Sequence, residues 1–226
     1  VEVQVEGGPA FAFAEVSLPP GGTVRLEGGA MATTRGDVQV TTSTRGGFMK
    51  GLRRAIGGES FFVNDFASSS GGSVGVAPAL PGDITVVRLT GEEILVQSGG
   101  WLASDTTVEV DSKWGGAKGF FSGAGLVLLR CSGHGDLLVA AYGGIRVATL
   151  APGETMTVDT GHVVAFDAGV RYSIRKAGSW KTTLLGGEGL VGEFSGPGRV
   201  WIQTRSTGDL ISWLDARLPR HDSSSS

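Results

Sequence analysis

Cysteine, histidine and tyrosine are nearly missing from this chain, at one, three and two residues of 226. A single cysteine, Cys131, excludes an internal disulfide and a cysteine-rich metal site, and it suits a reducing compartment. The histidines, His134, His162 and His221, show neither His-x-His nor His-Glu-x-x-His spacing, so no metal centre is expected. Long apolar runs are also missing. None reaches the ~18 residues that would mark a membrane span. A net charge of −3 gives no overall pull towards nucleic acid or an anionic membrane. No glycine-rich segment ends in Gly-Lys-Ser/Thr between a strand and a helix, so no phosphate loop and no cofactor are expected. Val1–Glu6 alternates like a strand and lacks the basic and apolar parts of a signal sequence, a pattern that an already processed protein would share.

Glycine is what the chain has in abundance: 39 residues, more than twice the usual ~7%. The glycines fall at turn positions between alternating runs, which points to many tight connections rather than disorder. They also recur in order. Pro-Gly turns stand at Pro20-Gly21, Pro81-Gly82 and Pro152-Gly153, and each leads to a glycine before an apolar pair, at Gly29, Gly100 and Gly161. The spacing is nine positions in the first and third copies and nineteen in the second. The surplus reads as a longer hairpin around Thr90-Gly91-Glu92-Glu93. Alternating strands follow at Val38–Val40, Val108–Val110 and Val170–Tyr172. Small-residue turns then open apolar runs at Gly58, Gly123 and Gly187, and Gly-led strands close the copies at Gly72, Gly135 and Gly198. Such internal repetition constrains the fold before anything else does.

Alternation with period two runs through Val1–Val5, Phe11–Val16, Thr23–Leu26, Val38–Val40, Ile84–Leu89, Ile94–Val96, Thr106–Val110 and Met156–Val158. It predicts half-buried strands. Leu126–Leu129, Leu137–Ala141 and Val200–Thr204 are more continuously apolar and are expected deeper. The expectation is an all-β chain, a single domain over 1–218, with repeats at about 19–80, 81–150 and 151–205 around a pseudo-threefold axis. Asp209–Leu218 has a helical face of Leu210, Trp213, Leu214 and Leu218, with Thr207 or Asp209 as cap and Pro219 as stop. It reads as a short C-terminal helix packed on its own β body, with an interface role as the alternative. Residues 219–226 read as a disordered tail.

No catalytic constellation emerges, so the chain reads as a protein without enzymatic activity. Cys131 reads as a buried, inert thiol. Asp65, Asp105, Asp111, Asp159 and Asp167 sit near strand ends, where turn chemistry explains them. Two candidate surfaces remain. Arg53, Lys118 and Lys181 occupy matching places ahead of the small-residue turns, and with Arg54 they form a candidate anion or partner site. The glycine-bracketed insertion carrying Phe48, Met49, Leu52 and Ile56 forms, with Trp213, a candidate interface. A homo-oligomer follows as an expectation, with a trimer as the candidate state.

Several stretches resemble a known family. They are Gly57-Gly58-Glu59-Ser60-Phe61-Phe62-Val63-Asn64, Ala79-Leu80-Pro81-Gly82-Asp83, Val110-Asp111-Ser112-Lys113-Trp114 and Gly186-Gly187-Glu188-Gly189-Leu190-Val191. A last one is Gly196-Pro197-Gly198-Arg199-Val200-Trp201-Ile202-Gln203-Thr204-Arg205. The family is the mitochondrial-biogenesis proteins named for altered inheritance of mitochondria, with prokaryotic relatives of unknown function. The resemblance implies three fused units similar to the tryptophan RNA-binding attenuation protein fold, and it implies no catalytic residues. It implies a cytoplasmic place for a prokaryotic member and a mitochondrial one for a processed eukaryotic member. The functional expectation is a binding or scaffold protein of unknown protein or anionic partner. An RNA- or anion-binding module is the first alternative, with nucleic acid not favoured, and an enzyme whose site is invisible in sequence is the second.

Overall fold

Alternating side chains and glycine turns give a chain of short antiparallel strands, and the computed structural model describes residues 1–41, 63–111, 120–121, 126–176 and 190–218. The first strands are β1 (Glu2–Glu6), β2 (Phe13–Leu18), β3 (Thr23–Glu27), β4 (Met31–Thr41) and β5 (Val63–Val76). Then come β6 (Gly82–Thr90), β7 (Ile94–Gln97), β8 (Trp101–Asp105), β9 (Val108–Asp111), β10 (Phe120–Phe121) and β11 (Leu126–Tyr142). The last are β12 (Ile145–Leu150), β13 (Thr155–Asp159), β14 (Val163–Asp167), β15 (Arg171–Lys176), β16 (Leu190–Ser195) and β17 (Gly198–Gln203), followed by helix α1 (Thr207–Asp215). The fold is all-β with one short C-terminal helix. No helix among the described residues is long and apolar enough to cross a membrane.

The pairings gather around β5, around β11 and around β16 with β17. In the first, the N-terminal half of β5 pairs with β3 and the end of β4, and its C-terminal half pairs with β2 and the start of β4. In the second, the N-terminal half of β11 pairs with β7 and β9, and its C-terminal half with β6 and β8. In the third, β16 pairs with β13 and β15, and β17 with β12 and β14. The long strands change partners where glycine lets the backbone bend: Gly71 has φ +102°, Gly133 +114° and Gly135 +142°, values that L-residues with a Cβ avoid. The groups join edge to edge. β3 pairs with β8, and β7 pairs with β14.

Among the described residues, apolar faces meet in three clusters. Leu26, Phe66 and Val76 pack with Leu102, Leu138 and Ala140. Trp101, Leu129, Cys131, Leu137 and Val139 pack with Val164 and Trp201. Phe166, Phe194 and Val200 pack with Leu95 and Leu128.

Three expectations need correction. The Pro81-Gly82 turn opens β6, whereas the turn leading into β7 contains Gly91, with φ +115°. The surplus spacing of the second copy is therefore the strand β6 itself, because a Pro-Gly dipeptide marks a turn without saying which turn. Leu126–Leu129 and Leu137–Ala141 belong to one strand, β11, which bends through Gly133 and Gly135 without ending. The helix α1 is not packed into the β body, since none of its residues is buried, and its cap is Ser206, whose Oγ accepts from the Asp209 backbone N–H. The landmarks Gly58, Gly123 and Gly187 and the tail from 219 onward lie outside the described residues.

Candidate interaction surface

The start of β4 is built like two buried strands and yet stands in the open. Met31, Thr33 and Arg35 lie opposite Val76, Gly75 and Ser73 of β5, with a register shift between Met31 and Thr33 that leaves Ala32 as the extra residue. β8 meets β11 with the same irregularity after Trp101, and β14 meets β17 with it after Val163. A bulge at this place twists the strand and re-aims its side chains. The surroundings differ. β8 has β3 on its other side, and β14 has β7. Trp101 and Val163 are consequently 0% and 1% exposed, whereas Met31 is 42% exposed. Ala32, Thr33, Thr34 and Arg35 are exposed as well.

β13 presents a second such edge. Met156, Thr157 and Val158 lie opposite Phe194, Glu193 and Gly192 of β16, and among the described residues no other strand pairs with β13. Thr155 and Thr157 are exposed, Met156 is half-buried and Val158 is buried. An unpaired edge offers a row of backbone donors and acceptors to another strand.

The third surface is α1. Ser206 caps its N-terminus, and Asp209 in the first turn complements the helix dipole. The segment runs on through Leu218, and Ile211, Trp213, Leu214 and Leu218 are 38–61% exposed. The Arg217 guanidinium lies 4.4 Å from the centre of the Trp213 ring, which shields one face of the indole.

Polar anchors fix the strand ends beside these surfaces. Asp105 Oδ2 accepts from the backbone N–H of Asp136 at 2.8 Å, and Asp167 Oδ2 accepts from that of Arg199 at 2.8 Å. Asp167 also holds the Arg199 guanidinium at 2.9 and 3.0 Å, and this hydrogen-bonded carboxylate raises the Arg199 pKa above its usual value. Arg25 grips Asp65 through two contacts of 2.7 and 3.1 Å. His162 Nδ1 donates to the Gln203 carbonyl at 2.7 Å, and Gln203 Nε2 donates to the Gly161 carbonyl at 2.8 Å. Asp111 faces Arg130 at 3.5 Å, and Asp159 accepts from Gly161 N–H at 2.8 Å. His134 lies within β11, opposite Thr90 of β6. These carboxylates and His162 brace the strand ends.

Arg53, Arg54, Lys118 and Lys181, and likewise Phe48, Met49, Leu52 and Ile56, lie outside the described residues. Trp213 is in place and 54% exposed. Sequence reasoning missed the edge at Met31–Arg35. A signal was present: where the second and third copies read Trp101-Leu102-Ala103-Ser104 and Val163-Val164-Ala165-Phe166, the first reads the more polar Met31-Ala32-Thr33-Thr34.

An uncharacterised protein of Streptococcus pyogenes serotype M6 is 30% identical over 218 residues, which covers 92% of this chain and 88% of that protein. A crystal structure of a Streptococcus pyogenes protein superposes with a TM-score of 0.78 at 28% identity, covering 96% of this chain and 99% of the other. The sequence pattern of one family matches residues 3–205, and the chain belongs to that family, described as mitochondrial biogenesis AIM24.

Proposed function

We propose that this protein is a non-enzymatic scaffold that binds other proteins, and that it acts as a homo-oligomer, with a trimer as the state to test first. One observation carries the reading: a capped C-terminal helix on which Ile211, Trp213 and Leu214 stand exposed, followed by exposed Leu218. An apolar helix face left in water is unstable by itself and gains by docking on a protein surface. The body behind it reads as three fused β units of similar connectivity, akin to the attenuation-protein fold and arranged about a shared axis. The recurrent pairings of β5, β11 and β16–β17 support that reading. A second contact, for an acidic or RNA partner, rests on the matching sequence positions of Arg53, Lys118 and Lys181 with Arg54 beside them.

Changing Ile211, Trp213 and Leu218 together to Ser tests the helix. The β signal in circular dichroism should be unchanged at 25 °C, because no residue of α1 is buried in the body. Self-association or partner binding should weaken at least tenfold by sedimentation. Unchanged association would remove α1 from the interface.

A further inference from the structure

We propose that the start of β4 in one chain pairs with β13 in a second copy of this chain, so that copies join head to tail through their sheet edges. The pattern for this contact occurs twice inside the chain. β3 runs antiparallel to β8 with Val24 opposite Asp105, Arg25 opposite Ser104 and Leu26 opposite Ala103. β7 runs antiparallel to β14 with Ile94 opposite Asp167, Leu95 opposite Phe166 and Val96 opposite Ala165. In each case the strand before the 3-10 or glycine turn of one group meets the strand after that turn in the next group. Two strands are left over when the chain has made both contacts. Among the described residues, one is β13, which stands before a turn and pairs only with β16, and the other is the start of β4, which stands after a turn and pairs only with β5.

These edges complement each other and not themselves. They belong to different sheets of one chain, the three-stranded and the fourteen-stranded. Carrying the internal register over sets Met156 opposite Arg35, Thr157 opposite Thr34 and Val158 opposite Thr33. Threonine supplies both sides of the central pair. Its β-branched side chain favours strands, and its hydroxyl keeps a temporarily open edge soluble. The counterpart pairs inside the chain are Arg25 with Ser104 and Leu95 with Phe166, and Ser104, Leu95 and Phe166 are buried. Met31, in the place held by buried Trp101 and Val163, would be covered by the same contact. A contact between unlike edges is heterologous, so it closes into a ring or extends as a filament according to its rotation.

This inference deepens the scaffold reading by naming a second copy as partner, and the two can fail separately. The variants Thr34→Cys and Thr157→Cys place thiols on directly opposed residues, whose Cα separation in an antiparallel pair, roughly 4.5–5.5 Å, suits a disulfide. Both sites are exposed, so folding should be unaffected, and the native Cys131 is buried. Mixed at micromolar concentration and oxidised gently, the two single variants should give a disulfide-linked dimer at least ten times more abundant than either gives alone. A chain carrying both changes should give a ladder of linked chains. No linked dimer in the mixture, or a disulfide formed only within one chain, overturns the proposal. A charge exchange gives an independent measurement. Thr34→Lys with Thr157→Lys should dissociate the oligomer in light scattering, and Thr34→Lys with Thr157→Glu should retain it; equal masses for the two overturn the register. Cross-linking that survives the Ile211, Trp213 and Leu218 changes would retain the edge contact and dismiss the helix, and the converse would do the reverse.

Discussion

Cys131 lies on β11 opposite Ile94 on one side and Val110 on the other, with no exposed surface. Burial alone pushes its thiol up to about 12, because an anion there would lose its hydration with no cation to replace it. The sign of the pH effect follows. An unfolded thiol ionises near ~8.5, so above that pH the unfolded state releases a proton that the native state keeps. Stability from this residue is fully present below that value and falls by about 1.4 kcal/mol per pH unit as the pH rises towards the native pKa. Comparing urea midpoints of the native protein and Cys131→Ala at pH 8 and pH 10 isolates the slope from other titrating groups. The native thiol should also resist a disulfide reagent at pH 8 and react at once in denaturant. Rapid native labelling would show the site to be open. Its burial was legible in the sequence, since Cys131 continues the apolar run Leu126–Leu129 and strand alternation sets its charged neighbour Arg130 on the opposite face. The grip of Asp167 on Arg199 was not, because the two stand 32 positions apart and meet only through the pairing of β14 with β17.

At the scale of the element, alternation located the strands well. Thr23–Leu26, Ile84–Leu89, Ile94–Val96 and Met156–Val158 fall within β3, β6, β7 and β13. Side-chain periodicity is local and survives in any sheet. Glycine misled where it permits a bend instead of a turn, as in β11. The structural demand differs sharply between glycines, and that difference is measurable. Gly153, at φ +82°, has nothing within 4 Å of an added Cβ, so Gly153→Ala should cost only the strain of a left-handed residue, about 1–2 kcal/mol. Gly135, at φ +142°, would set that Cβ 2.7 Å from Asp105 Oδ2 and 2.8 Å from its Cβ. Asp105 cannot withdraw freely, because it accepts from the Asp136 N–H at 2.8 Å. Gly135→Ala should therefore cost at least twice as much as Gly153→Ala in equilibrium unfolding. Equal costs would mean that β11 has slack at its bend. The open edge of β4 was the least legible element, because alternation does not say whether a neighbouring strand lies alongside. That depends on partners far away in sequence.

At the scale of the whole molecule, the three clusters are not three separate cores. Leu102, Leu138 and Ala140 from the middle strands complete the cluster of Leu26 and Phe66, and Leu95 and Leu128 complete that of Phe166 and Phe194. The remaining cluster draws Val63 from β5 and Trp201 from β17 onto Trp101 and Leu137. No group of strands can leave without uncovering side chains of its neighbour, so the chain should unfold in one step despite its repetitive pattern. Repeats joined by weak boundaries would instead melt in stages. Leu128→Ala and Leu138→Ala remove fully buried side chains from different clusters, and each should cost about 2–5 kcal/mol. The informative measurement is coincidence. With Trp114, Trp180 and Trp213 changed to Phe, tryptophan fluorescence comes from Trp101 and Trp201, whose cluster contains neither leucine, and so reports on a core that neither substitution enters. At one fixed protein concentration, since self-association alone can shift a midpoint, fluorescence and circular dichroism should give the same urea midpoint in both variants. A fluorescence midpoint that stays at the native value while circular dichroism shifts would divide the molecule into independent units. Coincident shifts would show that the strands joining β3 to β8 and β7 to β14 carry enough packing to bind the three clusters into one cooperative body.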